Sequence, residues 1–246
     1  MRDIHAYETA YLDNYHFEKV QVEYRRRLVL EVLAAASPRS VLEVGCGLEP
    51  LFDHYQGWDQ FCVVEPAPTF AAIAAERARG RGSITIVNST LEEHSSSGSH
   101  EPYDAIVISS LIHEVAEPDL LLAAASRLSG PASLIHVNVP NARSFHNVLA
   151  LEMGLLADLF QKSELALKMQ RSSTFDLGGL RDYVESQGFE VIASGSYFVK
   201  PFTHRQMAAM LENGIIDEKV LDGLYGLVRH YPEMGSEIYV NARLRP

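Results

Sequence analysis

The residues with chemical potential in this chain are a glycine turn, an acid and a few histidines. The strand-like run SVLEV (40–44) passes straight into Gly45-Cys46-Gly47. Glycine has no Cβ and adopts conformations other residues avoid, so such a turn lets main chain approach a ligand closely. Twenty residues beyond Gly45, Glu65 closes the run FCVVE (61–65), where an acid can accept both hydroxyls of a ribose. A nicotinamide-dinucleotide oxidoreductase would want a third glycine where this chain has Pro50 in GCGLEP. Its loss suits a nucleoside cofactor that carries an amino acid and sets no pyrophosphate on a helix terminus. Glu43, two residues before the turn, is placed either to organise the loop or to meet an ammonium group.

His113 follows the run DAIVIS (104–109), and His146 follows SLIHVNV (133–139). Each is either a general base for a hydroxyl nucleophile, or a locally bonded residue such as a helix cap. Asn141 either orients a substrate or makes the turn after Pro140. His204, opening a late helix, is a further substrate-binding candidate.

These residues need a frame. Helix-like spacing from Phe17 to Ala36 stops before Ser37-Pro38, and short apolar runs then alternate with helical stretches at 69–79 and 119–128. Alternation of this kind implies a mostly parallel sheet with helices on both faces. The segment 94–102 reads as a polar loop. From 144 to 170 a long apolar, mostly helical stretch interrupts the rhythm. A helix near 177–187, a strand near 189–199, helices around 204–228 and a strand near 237–243 then follow. The expectation is a single domain over 1–246, with an N-terminal helical cap (1–36) and a helical insertion (141–175) over the substrate pocket. The insertion's stripe of Phe145, Leu149, Leu151, Met153, Leu155 and Leu156 either walls that pocket, makes a homodimer contact, or is ordinary core.

Composition narrows the partners. Apolar residues make up 47% and charged residues 22%, which is ordinary globular usage. The net charge of −11, with no long basic stripe, argues against a large phosphate-tracking surface, so no nucleic-acid partner is expected. Cys46 and Cys62 form no CxxC pair, so no metal or disulfide framework is expected. The N-terminal sequence has no apolar core of signal length, and no long apolar run follows, so a cytoplasmic location and no membrane partner are expected.

In order, VLEVGCG, VVEP, NSTLEE and YDAIVISSLIHEVAEPDLLL resemble class I S-adenosylmethionine-dependent methyltransferases over about residues 25–140. The chain is similar in particular to the ubiquinone-biosynthesis O-methyltransferase and related small-molecule methyltransferases. The resemblance implies an α/β Rossmann-like sheet of seven strands in the order 3-2-1-4-5-7-6, the last antiparallel. It implies S-adenosyl-L-methionine as cofactor, S-adenosyl-L-homocysteine as product and a small polar acceptor methylated at oxygen; N- or carboxyl-methylation, and a non-catalytic cofactor-binding subunit, are the alternatives. By position, Gly45, Cys46 and Gly47 would line the methionine portion, Glu65 would hold the ribose, and Pro66 beside it would also bind the cofactor. Thr90, Leu91 and Glu92 would border the adenine, Ser109 would present backbone near the amino-acid end, and Arg25 would grip the carboxylate, with Arg26 and Arg27 as competitors. Where relatives have Leu-Glu-His-Val this chain has Ile112-His113-Glu114-Val115. Tyr7, Tyr11, Tyr15 and Phe17 recur at helical spacing, either packing or forming a lid over the cofactor as in the resembling class, and Tyr15 is a substrate-binding candidate.

Overall fold

The computed structural model describes residues 4–161 and 173–245. The strands are β1 (Ser40–Val44), β2 (Gln60–Val64), β3 (Ile84–Val87), β4 (Tyr103–Ser109), β5 (Ser129–Pro140), β6 (Phe189–Tyr197) and β7 (Glu237–Leu244). They form one sheet in the order β3-β2-β1-β4-β5-β7-β6. β7 runs antiparallel to both β5 and β6, and the other pairings are parallel. The sheet order and the antiparallel final strand are those expected.

The helices are α1 (Ile4–Ala36), α2 (Pro68–Ala78), α3 (Leu91–Ser96), α4 (Pro118–Arg127), α5 (Phe145–Glu152), α6 (Leu177–Ser186), α7 (His204–Glu212) and α8 (Glu218–Gly226). Strand side chains alternate between two cores. Leu42, Val44, Ile106 and Ile108 pack with α3, α4 and α6 on one face. Val41, Val63, Ala105 and Val107 pack with Val29 and Leu33 of α1 and Ala74 of α2 on the other. Burial on both faces explains why the strands read as continuous apolar runs. A third cluster, with Tyr24 and Leu28 of α1, Met207 of α7 and Leu221 of α8, fastens the late helices to the first.

Helix ends follow local chemistry. α1 stops where Ser37 turns left-handed (φ 50) and donates to Leu33 O at 2.8 Å, with Pro38 next. Thr90 and Glu93 make a reciprocal capping box at α3. That box carries helix into the predicted polar loop, so His94–Ser96 are helical. α1 itself begins well before Phe17, and its amino-terminal turns are tied to α2. There, Glu8 Oε1 accepts from Thr69 N at 3.0 Å, and Tyr11 packs edge-on against Phe70 at 5.3 Å between ring centroids.

The long helical stretch expected over 144–170 is corrected. α5 ends at Glu152, Gly154 takes φ +71, and no helix continues through 161; the remainder, 162–172, lies outside the described residues. No residue of α5 is fully buried, and Met153 and Leu155 are exposed. Among the described residues no helix is long and apolar enough to cross a membrane, and no cluster of potential metal ligands occurs.

Candidate active site

At the carboxyl ends of β1, β2 and β4, where open α/β sheets place their ligands, lies a cavity of about 550 Å³. Small-molecule sites typically measure roughly 300–1,000 Å³. Its wall includes Arg25, Glu43, Gly45, Cys46, Gly47, Glu65, Pro66, Thr90, Glu92 and Ser109. Side chains scattered over 85 positions of sequence are thus brought to one surface. Leu91 is placed otherwise, in the core beneath α3 at 2% exposure.

The turn after β1 needs its glycines. Gly45 has φ +75 and Gly47 φ +55, both left-handed, and a Cβ on Gly47 would come within 3.1 Å of Tyr11 Oη. Glu65, 4% exposed, accepts from Gly47 N at 3.2 Å through Oε2 and from Ala67 N at 2.9 Å through Oε1. One carboxylate therefore joins the turn after β1 to the start of α2. Asn88 steadies the same loop by donating to Glu65 O at 2.8 Å. A close-approach glycine cradle beside a buried acid fits a ribose and amino-acid ligand.

Glu43 organises the loop: Oε2 accepts from Leu51 N at 2.9 Å. Burial raises its carboxyl to about 8, with Glu65 and Asp53 adding repulsion against the Leu51 hydrogen bond. Burial, with Glu43 and Glu65 nearby, pushes the Cys46 thiol far up, so it stays protonated and is no nucleophile.

Arg25 lines the wall with its guanidinium held by Glu237, Nε lying 2.9 Å from Oε2 and Nη2 bonding Oε1. Tyr197 Oη donates to the same carboxylate. Burial alone would raise Glu237, but the Arg25 charge and hydrogen bonds hold it below the usual carboxylate range. Arg26 pairs with Glu49, and Arg27 with Glu31 and Asp222. With Glu18, Glu92, Glu114 and Glu117 also on the wall, the cavity is predominantly acidic. A sulfonium cofactor that also carries an ammonium group complements that field.

Of the residues proposed for chemistry, none of His113, His146, Asn141 and His204 lines this cavity among the described residues. His113 is 2% exposed and stands behind Glu114, its Nε2 3.6 Å from Glu114 Oε1. Glu114 faces the cavity in its place, and the inverted His-Glu order was the available signal for it. Asn141 makes a turn: Nδ2 donates to Glu233 O and Gly235 O, each at 2.9 Å, and Oδ1 accepts from Arg143 N at 2.9 Å. His146 has its Nδ1 enclosed without a partner, and burial followed by the Lys200 charge keeps the ring neutral. His204 Nε2 lies 3.2 Å from Lys200 Nζ. The side chain of Tyr15 is outside the described residues, while Tyr11 of the same stripe does reach the wall. Glu18, Glu49 and Leu111 also line the wall, and nothing in their spacing in the sequence separates them from surface or core residues.

A family model described as a methyltransferase domain matches residues 16–194. No curated protein sequence matches the chain. Among solved structures it is similar to the plantazolicin methyltransferase BamL in complex with a desmethylPZN analogue and S-adenosylhomocysteine, with TM-score 0.57 and 15% identity over 99% of this chain and 98% of that one. It is also similar to a possible histamine N-methyltransferase from Thermotoga maritima, with TM-score 0.59 and 16% identity over 98% and 99%. A third neighbour is the mitomycin 7-O-methyltransferase MmcR, with TM-score 0.53 and 14% identity over 96% and 60%. At these identities the neighbours speak for the fold. The family match, more than half the chain long, agrees with the glycine cradle, its acid and the sheet order: the chain belongs to the methyltransferase-domain family and is an S-adenosylmethionine-dependent methyltransferase.

Proposed function

We propose that this enzyme methylates an oxygen of a small polar metabolite in a biosynthetic pathway, with Glu114 as proton acceptor and His113 as its support. The observation that carries the reading is the pair itself. Glu114 is 4% exposed on the cavity wall, and the His113 imidazole lies 3.6 Å behind its carboxylate. S-adenosylmethionine supplies a methyl group on a positively charged sulfur, which keeps the bonding pair when an in-line nucleophile takes the carbon. A hydroxyl must lose its proton to become that nucleophile, and a positioned base contributes roughly 10² to 10⁴-fold. The rest of the acceleration comes from holding the reactants aligned in the cavity. Two neighbours of the same fold, one acting on plantazolicin and one on a mitomycin oxygen, support a natural-product acceptor.

The acidic wall favours a second reading, an amine acceptor, because carboxylates attract an ammonium and Glu114 could also accept its proton. Carboxyl methylation has less support, since Arg25 and Arg26 are each tied to a glutamate. The test is a panel of hydroxyl and amine acceptors, read by product mass, with wild type and Glu114→Gln. Methylated hydroxyl products that fall at least 100-fold in the variant support the reading. An amine product formed at equal rates by both proteins overturns it. A protein that binds S-adenosylmethionine yet yields S-adenosylhomocysteine with no acceptor would be a non-catalytic subunit.

A further inference from the structure

Beneath the cavity wall a line of buried polar side chains crosses three strands. Ser109 lines the cavity, and Ser110 beside it holds a left-handed backbone (φ 53), which is costly for a residue with a Cβ. Asn138 of β5 pairs in register with Ser109. Its Oδ1 lies 3.0 Å from Ser110 N, which also meets the Asn138 main-chain carbonyl at 2.9 Å. Its Nδ2 lies 3.0 Å from Ser109 Oγ and 3.0 Å from His136 Nε2. His136 Nδ1 is in turn 2.7 Å from Asn241 Oδ1 on β7. Asn138 is wholly enclosed and His136 is 1% exposed, so these groups satisfy one another in place of water.

One atom sets the direction of every proton. A main-chain amide only donates, so the Asn138 atom facing Ser110 N is oxygen, and the other is nitrogen with two hydrogens. One hydrogen goes to His136 Nε2, which must be a bare acceptor. The ring proton is therefore on Nδ1 and is donated to Asn241 Oδ1. Burial pushes this imidazole down to about 4, in keeping with a neutral ring. The second Asn138 hydrogen goes to Ser109 Oγ. The Ser109 hydroxyl hydrogen is left with a 3.3 Å contact to Asn138 Oδ1, long for an O–H donor, whose usual range is about 2.5–3.0 Å. It is available to the cavity.

We propose that Asn241, His136 and Asn138 are positioning residues that hold the Ser109 hydroxyl as a hydrogen-bond donor to the carboxylate of the bound methyl donor. Among the described residues both arginines of the wall are paired with glutamates, which leaves neutral donors to meet this anionic group, and Ser109 sits next to the Gly45 turn through the β1–β4 pairing. The proposal rests on the cavity being the S-adenosylmethionine site and is independent of the methyl acceptor.

Calorimetry with S-adenosylhomocysteine and with 5′-methylthioadenosine, which lacks the amino-acid carboxylate, tests it. Ser109→Ala should weaken S-adenosylhomocysteine roughly tenfold or more and leave 5′-methylthioadenosine unchanged. Asn138→Asp should do the same, because a carboxylate still accepts from Ser110 N but draws the Ser109 hydrogen back to itself. Nitrogen NMR of His136 should show a neutral ring protonated at Nδ1 in wild type and an imidazolium in Asn138→Asp. Equal losses for both ligands, which a merely structural role would give, or no loss for either, would overturn the proposal. So would a ring protonated at Nε2 in wild type. Failure of wild type to bind either ligand would instead count against the cavity as the donor site.

Discussion

Replacing Glu65 by alanine separates its two duties, because the carboxylate both joins two loops and faces the cavity. A carboxylate offers about four lone-pair positions. Oε2 takes Gly47 N and Oε1 takes Ala67 N, and the group still lines the wall where a ribose would present its hydroxyls. A hydrogen bond to a charged group contributes about 1.5–3 kcal/mol, so losing the ribose contact should weaken binding by about 3 kcal/mol, roughly 100-fold in Kd. The unliganded protein should also lose stability by about 2 kcal/mol, because two main-chain amides are left without their acceptor. Glutamine is not a neutral control: it keeps one oxygen and must turn an N–H toward either Gly47 N or Ala67 N. Its binding loss should therefore lie between wild type and alanine. The assay is titration calorimetry with S-adenosylhomocysteine, with thermal melts of the free proteins. Unchanged affinity in Glu65→Ala, together with an unchanged melt, would refute the placement of the ribose and the bridging role alike.

Three further outcomes are expected. Glu43, raised by burial to about 8, binds a proton in the fold that the unfolded chain releases near its ordinary value of 4.5; stability should therefore fall as pH rises from about 4.5 to 8 and level off above, and Glu43→Gln should flatten that slope in melts at pH 5 and 8. Gly47→Ala forces a side chain into φ +55 and to within 3.1 Å of Tyr11 Oη, so it should cost about 1–2 kcal/mol and weaken donor binding; adding Tyr11→Phe should recover only the steric part, and full recovery would remove backbone strain from the account. Arg25→Ala takes from the buried Glu237 the guanidinium that holds it, although Tyr197 Oη still donates to the carboxylate, at a cost of about 3–5 kcal/mol. Glu237 is held low in the fold, so its contribution is present above the ordinary carboxylate range and is lost as pH falls through its lowered value. The deficit of Arg25→Ala against wild type should be large at pH 7 and shrink in acid, and parallel pH profiles would contradict the pairing.

The sheet was legible because parallel strands buried on both faces must read as short apolar runs, and Gly45-Cys46-Gly47 was legible because left-handed backbone excludes other residues. Glu65 followed from its place at the end of the next strand. The extent of α1 and α5 was not, since a helix's ends depend on what it packs against. Glu8 at the head of α2 secures an amino-terminal segment that periodicity alone left open, and α5 stops where Gly154 turns.

At the site itself, residue types near the end of β4 announced chemistry but not direction. His113 carries the more suggestive side chain, yet the turn after β4 sends it inward and Glu114 outward. His136 lies inside the apolar run SLIHVNV, and only the pairing of β4, β5 and β7 shows its neighbours to be Asn138 and Asn241. Arg25 read as a cofactor grip; the fold adds Glu237, 212 residues away, as the partner that holds it.

By itself the sequence determined the apolar strands, the glycine turn and the acid that closes the next apolar run, because each depends on backbone conformation and short spacing. The tertiary structure decided which side chains share the cavity wall, which arginines are neutralised and which histidine stands behind a carboxylate. Those are long-range contacts, set by strand register and helix packing, and no local pattern encodes them.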